Sequence, residues 1–304
     1  MGSIFSSYNI NIFVVAGLYV ILALGLNLTT GFAGQVSLGH AAFYAIGAYT
    51  AAILSTRFGF SLWLTLPISA VVTLVAGALL GLPSLRVKED FLAVVTMGLG
   101  LIIQSLALNL KITGGPMGIG NIKPLAVFGH PVGAFGFLVF ELIVIVVLTF
   151  VLSRLVNSRV GRALLAVRED ETVAETLGIN ATRYKVLAFA IGAMYAGIAG
   201  SLFAHYFTYI SPDSFGFMES ATILCMVVLG GLGSIKGSII GAIILSVAPE
   251  LMRGLADYRI LIYGLLLVVM MRYRPQGLFG NNVTTWNVTA WRRLKDRNAR
   301  GEKN

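Results

Sequence analysis

Residues 154–185 read RLVNSRVGRALLAVREDETVAETLGINATRYK, and this stretch holds ten of the chain's charged residues: Arg154, Arg159, Arg162, Arg168, Glu169, Asp170, Glu171, Glu175, Arg183 and Lys185. On either side the chain turns apolar for about twenty residues, the length that carries a helix across a bilayer. A compact, charged loop between two such stretches implies a membrane protein that touches something soluble through that loop.

The composition agrees. Hydrophobic residues make up 57% of the chain, charged residues 12%, and the mean hydropathy is +0.86. A soluble domain carries about 25% charged residues, so most of this surface must be dry. Nine hydrophobic segments are expected, at 9–29, 37–55, 61–82, 91–110, 134–153, 186–206, 217–232, 237–251 and 260–273. The pair covering 217–251 is short enough to form a re-entrant hairpin instead. The fold class is therefore all-α and polytopic, with one transmembrane domain over 1–280 and a basic tail over 281–304.

Basic residues orient the chain. Placing the loops 83–90, 154–185 and 233–236 and the tail from Arg272 in the cytoplasm collects 17 of the 22 Lys and Arg. Only Arg57, Lys111, Lys123, Arg253 and Arg259 stay outside. The positive-inside bias then sets the N-terminus outside and the C-terminus in the cytoplasm. The same bias accounts for the net charge of +9 without nucleic acid. No Lys or Arg precedes Arg57, so no cleavable signal peptide is expected. The single cysteine, Cys225, lies in an apolar run and is read as a packing residue.

Inside the charged loop, Thr172-Val173-Ala174-Glu175 has the spacing of a capping box. It predicts a short helix with Val173, Ala174 and Leu177 on one face and Gly178 as its left-handed stop. One turn or two cannot stand alone in water, so neighbours or a partner's groove must hold it. Small residues recur at Gly77–Gly81, Gly237–Gly241, Ala193–Gly197 and Ala196–Gly200, a spacing for close helix packing within the chain or against a second subunit.

The run GRALLAVREDETVAETLGIN (161–180) resembles the cytoplasmic coupling loop of ABC importer permeases of the branched-chain amino-acid uptake family. Five more stretches agree in the same order: GLNLTTGFAGQVSLGHAAFYAIGAY (25–49), PSLRVKEDFLAVVTMGLG (83–100), TGGPMGI (113–119), VVLGGLGSIKGSIIGA (227–242) and RPQGLFG (274–280). The wider importer motif Glu-Ala-Ala-x-x-x-Gly is matched at Ala174 and Gly178, whereas Thr172 and Val173 replace Glu and Ala, and Glu171 is displaced by one. The resemblance implies a coupling loop built on Arg168, Glu171, Thr172, Ala174, Glu175 and Gly178. It also implies a homologous second permease, two ABC ATPases that bind the ATP, and a periplasmic or lipid-anchored binding protein, in the bacterial inner membrane. No enzymatic activity and no cofactor of the chain's own are expected. The chain lacks GxxxxGK[ST]; in Gly231–Ser238 a glycine separates Lys236 from Ser238, which reads as a tight turn.

Asn27, Gln35, Ser37 and His40 lie in a glycine-broken stretch after the first span. Irregular backbone at membrane depth occurs where it is buried in protein or lines a cavity. Two readings stay open: a translocation path that offers hydrogen bonds to a zwitterion, or a structural bend. Glu141, Glu219 and Glu250 are ionisable residues within or at the ends of spans; Glu219 and Glu250 are placed near the outer ends, where they can reach water. Glu141 is the foothold for another reading, a stand-alone ion-coupled carrier or channel. A permease for urea or short amides is the alternative within the family. Trp286 and Trp291 ahead of a basic cluster suit a tail lying on anionic lipid.

Overall fold

The computed structural model describes residues 7–84, 89–127, 130–251, 264, 272 and 277–279. The order is α1 (Ser7–Leu26), continued as a π-helical turn over Asn27–Phe32, α2 (His40–Phe58), α3 (Leu62–Ser84) and α4 (Glu89–Asn109). A two-residue antiparallel pair, β1 (Ala126–Val127) and β2 (His130–Pro131), follows. Then come α5 (Ala134–Val156), α6 (Arg159–Glu169), α7 (Glu171–Thr176), α8 (Ala181–Phe207), α9 (Phe217–Gly230) and α10 (Ile235–Leu251).

Burial sorts these helices into a centre and a rim. In α1 with its π turn, 78% of the most apolar window is buried, and in α8 72%, against 28%, 17% and 22% in α3, α4 and α5. The rim helices turn Val71, Leu79, Val94, Ile102, Val146 and Phe150 outward. That is apolar surface which only lipid or another membrane subunit can cover. Helix α8 occupies the centre because its alanines and glycines let neighbours approach: a Cβ on Gly47 of α2 would stand 2.4 Å from the Gly197 backbone. All four small-residue pairs pack within the chain. Gly77 meets Ala193, Gly81 meets Phe189, Gly200 meets the Tyr44 backbone, and Gly237 and Gly241 meet Gly230.

Among the described residues six helices are long and apolar enough to cross a membrane, and α10 is a shorter apolar helix. The expected nine segments differ for three reasons. The second is a helix, α2, but a nearly enclosed and more polar one. The eighth is the short α10, and the ninth, 260–273, lies largely outside the described residues, as do Arg86 and Lys88 and the tail after 279.

Helix α2 begins part-way along α1 instead of at its end. His40, the first residue of α2, hydrogen-bonds to the backbone of Leu22, in the middle of the 7–32 helical run. Helix α9 starts at the same depth, because the Ala41 amide donates to Ser220 Oγ at 2.9 Å. Two helix starts thus meet inside the bundle. Glu219, in the first turn of α9, lies at this same depth beside Tyr19.

Candidate functional site

The charged loop folds into two helices packed at one end of the bundle. Ser158 caps α6, its Oγ accepting from the Val160 amide at 3.1 Å. Asp170 then ends α6 and caps α7, its carboxylate accepting from the Val173 amide at 3.0 Å. The cap is therefore Asp170, not the expected Thr172. Aspartate serves that position at least as well, and starting the helix two residues earlier leaves Thr172 and Glu175 exposed. Gly178 adopts φ +82° and stops α7 as expected.

The face of α7 is split. Ala174 is buried against Val167 and Ala181, while Val173 and Leu177 are 53% and 74% exposed. Glu171 is committed inward, since its Oε2 lies 2.6 Å from Nζ of the buried Lys185 on α8. The outward surface is thus an apolar pair, Val173 and Leu177, flanked by Glu175. An exposed apolar pair is thus carried on a helix too short to be stable alone, an outward knob held to the bundle by an ion pair and an alanine.

Arg168, at the end of α6, reaches the other way. Its Nη1 donates to the Gly31 carbonyl in the π turn of α1, 137 positions earlier. A Cβ on Gly233, in the α9–α10 turn, would stand 3.0 Å from that same nitrogen. Asn27 closes the junction: its amide donates to Ser234 O at 3.2 Å and accepts from the Gly233 amide at 2.8 Å. The 277–279 segment is also tied here, through Leu278 N to Leu229 O at 2.9 Å and Phe279 N to Gly230 O at 3.0 Å. The knob is therefore one side chain away from the broken part of α1.

The four residues of the glycine-broken stretch are all buried but not equivalent. Asn27 is the clamp just described. Ser37 Oγ accepts from the Gly39 amide at 3.4 Å. Both side-chain amide atoms of Gln35, and Nε2 of His40, have no hydrogen-bond partner among the described residues. Buried unpaired groups of this kind are costly, and they leave Gln35 and His40, unlike Asn27, with unused hydrogen-bonding capacity among the described residues. Glu141 is fully buried on α5 against Gly17, with neither oxygen partnered among the described residues.

Residues 8–271 match the family described as the permease component of branched-chain amino-acid transport systems. The chain belongs to this branched-chain permease family. It is 43% identical, over 89% of its length and 69% of the relative's, to the high-affinity branched-chain amino-acid transport permease LivM of Salmonella typhimurium. It is equally similar to Escherichia coli LivM, over 88% and 69%. The second permease of that name set, Escherichia coli LivH, is 28% identical over 86% of this chain and 91% of its own. No solved structure matches. Within the family's frame the chain is a multi-pass membrane protein.

Two features escaped the sequence reading. Lys185 falls within the first turns of α8 and gave no periodic signal of an inward ion pair. Glu219 was noted only as a terminal carboxylate; the signal available was the shortness of the segment that carries it.

Proposed function

We propose that the chain is one membrane-spanning permease subunit of an ABC-type importer that carries branched-chain and related neutral aliphatic amino acids. The observation that carries the coupling half of this reading is the exposed Val173–Leu177 pair beside Glu175, presented on a helix locked to the bundle. The family match and the printed names of LivM and LivH support the substrate and a homologous second permease. In this reading α6–α7 faces the cytoplasm, the N-terminus lies outside, and the full chain makes about nine crossings, including those outside the described residues. Two partner ATPases grip α7 and bind the ATP; the chain needs no nucleotide or metal of its own. A periplasmic or lipid-anchored binding protein delivers cargo at the opposite face.

Closure of the ATPases moves α7, and Ala174 and Lys185 carry the motion into α8. Arg168 carries it into the π turn, where Asn27 and the 231–234 turn move with it. The path near Gln35, Ser37 and His40 then alternates in access.

The test is uptake of labelled leucine by cells expressing the complete complex, with valine, alanine or urea in excess. ATP-dependent uptake blocked by valine and not by urea is the expected result. Absence of leucine uptake from an assembled complex would overturn the substrate, and strong competition by urea would move it to small amides.

A further inference from the structure

We infer that a cavity where α2 and α9 begin, with the Glu219 carboxylate on its wall, is a cargo subsite that takes the primary ammonium and aliphatic chain of a neutral α-amino acid. This rests on the functional reading above and deepens it. The cavity holds about 270 Å3, just below the ~300–1,000 Å3 common for drug-sized ligands, which suits a small solute. Glu219, Tyr19, Tyr44 and Phe203 line it together with Leu18 and Leu22.

The carboxylate of Glu219 accepts a hydrogen bond from the Tyr19 hydroxyl. Beside it is an aromatic wall: the Tyr44 ring meets Phe203 edge-on at 5.5 Å and Phe215 at 5.0 Å. A carboxylate backed by aromatic faces is suited to a primary ammonium, through a charge-assisted hydrogen bond and ring attraction. Leu18 and Leu22 of α1, both buried, add apolar lining, which suits an aliphatic side chain. The position argues the same way. Two helices begin at this depth, with Ala41 and Ser220 joined at 2.9 Å, and interrupted helices near the midplane are how membrane carriers build solute sites. Among the described residues no cation pairs with this carboxyl group, which lies among rings and leucines. A transient ammonium supplies one, and urea or a simple amide does not.

The experiment uses the complete complex in proteoliposomes, with saturating loaded binding protein, and compares labelled leucine with labelled alanine. Glu219→Gln should lower leucine uptake at least tenfold at an unchanged amount of assembled complex, and Glu219→Asp should restore part of it. Leu18→Phe narrows the apolar lining and should lower leucine at least fivefold more than alanine. Should Glu219→Gln fail to assemble, the Glu219→Asp and Leu18→Phe comparisons decide. Wild-type uptake in Glu219→Gln, or an equal fall of both solutes in Leu18→Phe, overturns the subsite while the importer reading stands. A wild-type complex that moves neither solute overturns the importer's substrate and the subsite with it.

Discussion

Gly178 and Arg168 separate two kinds of residue contribution. At Gly178 a Cβ would meet nothing within 4 Å, so any cost of substitution comes from φ +82° alone. For a β-branched residue that conformation costs about 1–2 kcal/mol, whereas Asn visits it readily. Gly178→Val should therefore distort the end of α7 and depress transport-linked ATP hydrolysis several-fold, while Gly178→Asn stays near wild type. Equal activity in both would mean that the geometry of this stop is irrelevant to coupling. Arg168 acts by reach. Its bond to Gly31 spans two elements, and truncation removes a link without touching the Val173–Leu177 surface. Arg168→Ala should leave the ATPases bound yet cut uptake per ATP hydrolysed at least tenfold, read by parallel hydrolysis and uptake assays. An unchanged ratio would sink the relay. The stop at Gly178 was legible in the sequence because it is a local backbone rule. The Arg168–Gly31 link was not, because a contact across 137 positions leaves no trace in spacing.

At the scale of elements, α7 divides its residues cleanly between holding and offering. Ala174 and Glu171 hold it, and Val173 and Leu177 contribute little to the fold because half or more of each is exposed. Substitutions at such positions usually shift stability by no more than about 0.5 kcal/mol. Val173→Asp together with Leu177→Asp should leave the chain in the membrane at normal abundance and abolish copurification of the ATPases. Retained copurification would show that the partner grips elsewhere. The short helix itself was readable from its polar island and its glycine, but its cap was misplaced: Asp170 and Thr172 are both good caps, and only packing of Ala174 on Val167 and Ala181 chooses the register. The lengths of α2 and α9 were legible too. Their common starting depth depends on His40 meeting Leu22 and Ala41 meeting Ser220, tertiary contacts that override any span count.

Among the described residues, burial falls from α1 and α8 outward to α4, a gradient that hydropathy alone does not show because the buried α1 and the exposed α3 and α4 are similarly apolar. The rim is where lipid or the sister permease must lie. The orientation of this bundle can be tested through one helix. Met117, 82% exposed, precedes α5, and Glu175, also exposed, follows it. The 23 residues of α5 span about 34 Å, enough to cross the ~30 Å hydrocarbon core. Cysteines introduced at these two sites must therefore report from opposite sides. The native Cys225 is buried and should stay silent. With a membrane-impermeant maleimide, Met117→Cys should label in spheroplasts, and Glu175→Cys only after the membrane is opened. The reverse pattern would invert the chain and remove α7 from the ATPases' side; labelling of both sites in sealed cells would mean that α5 does not cross. Because α5 lies between the knob and the opposite face, either failure would undo the route from ATP to cargo, whatever the family match.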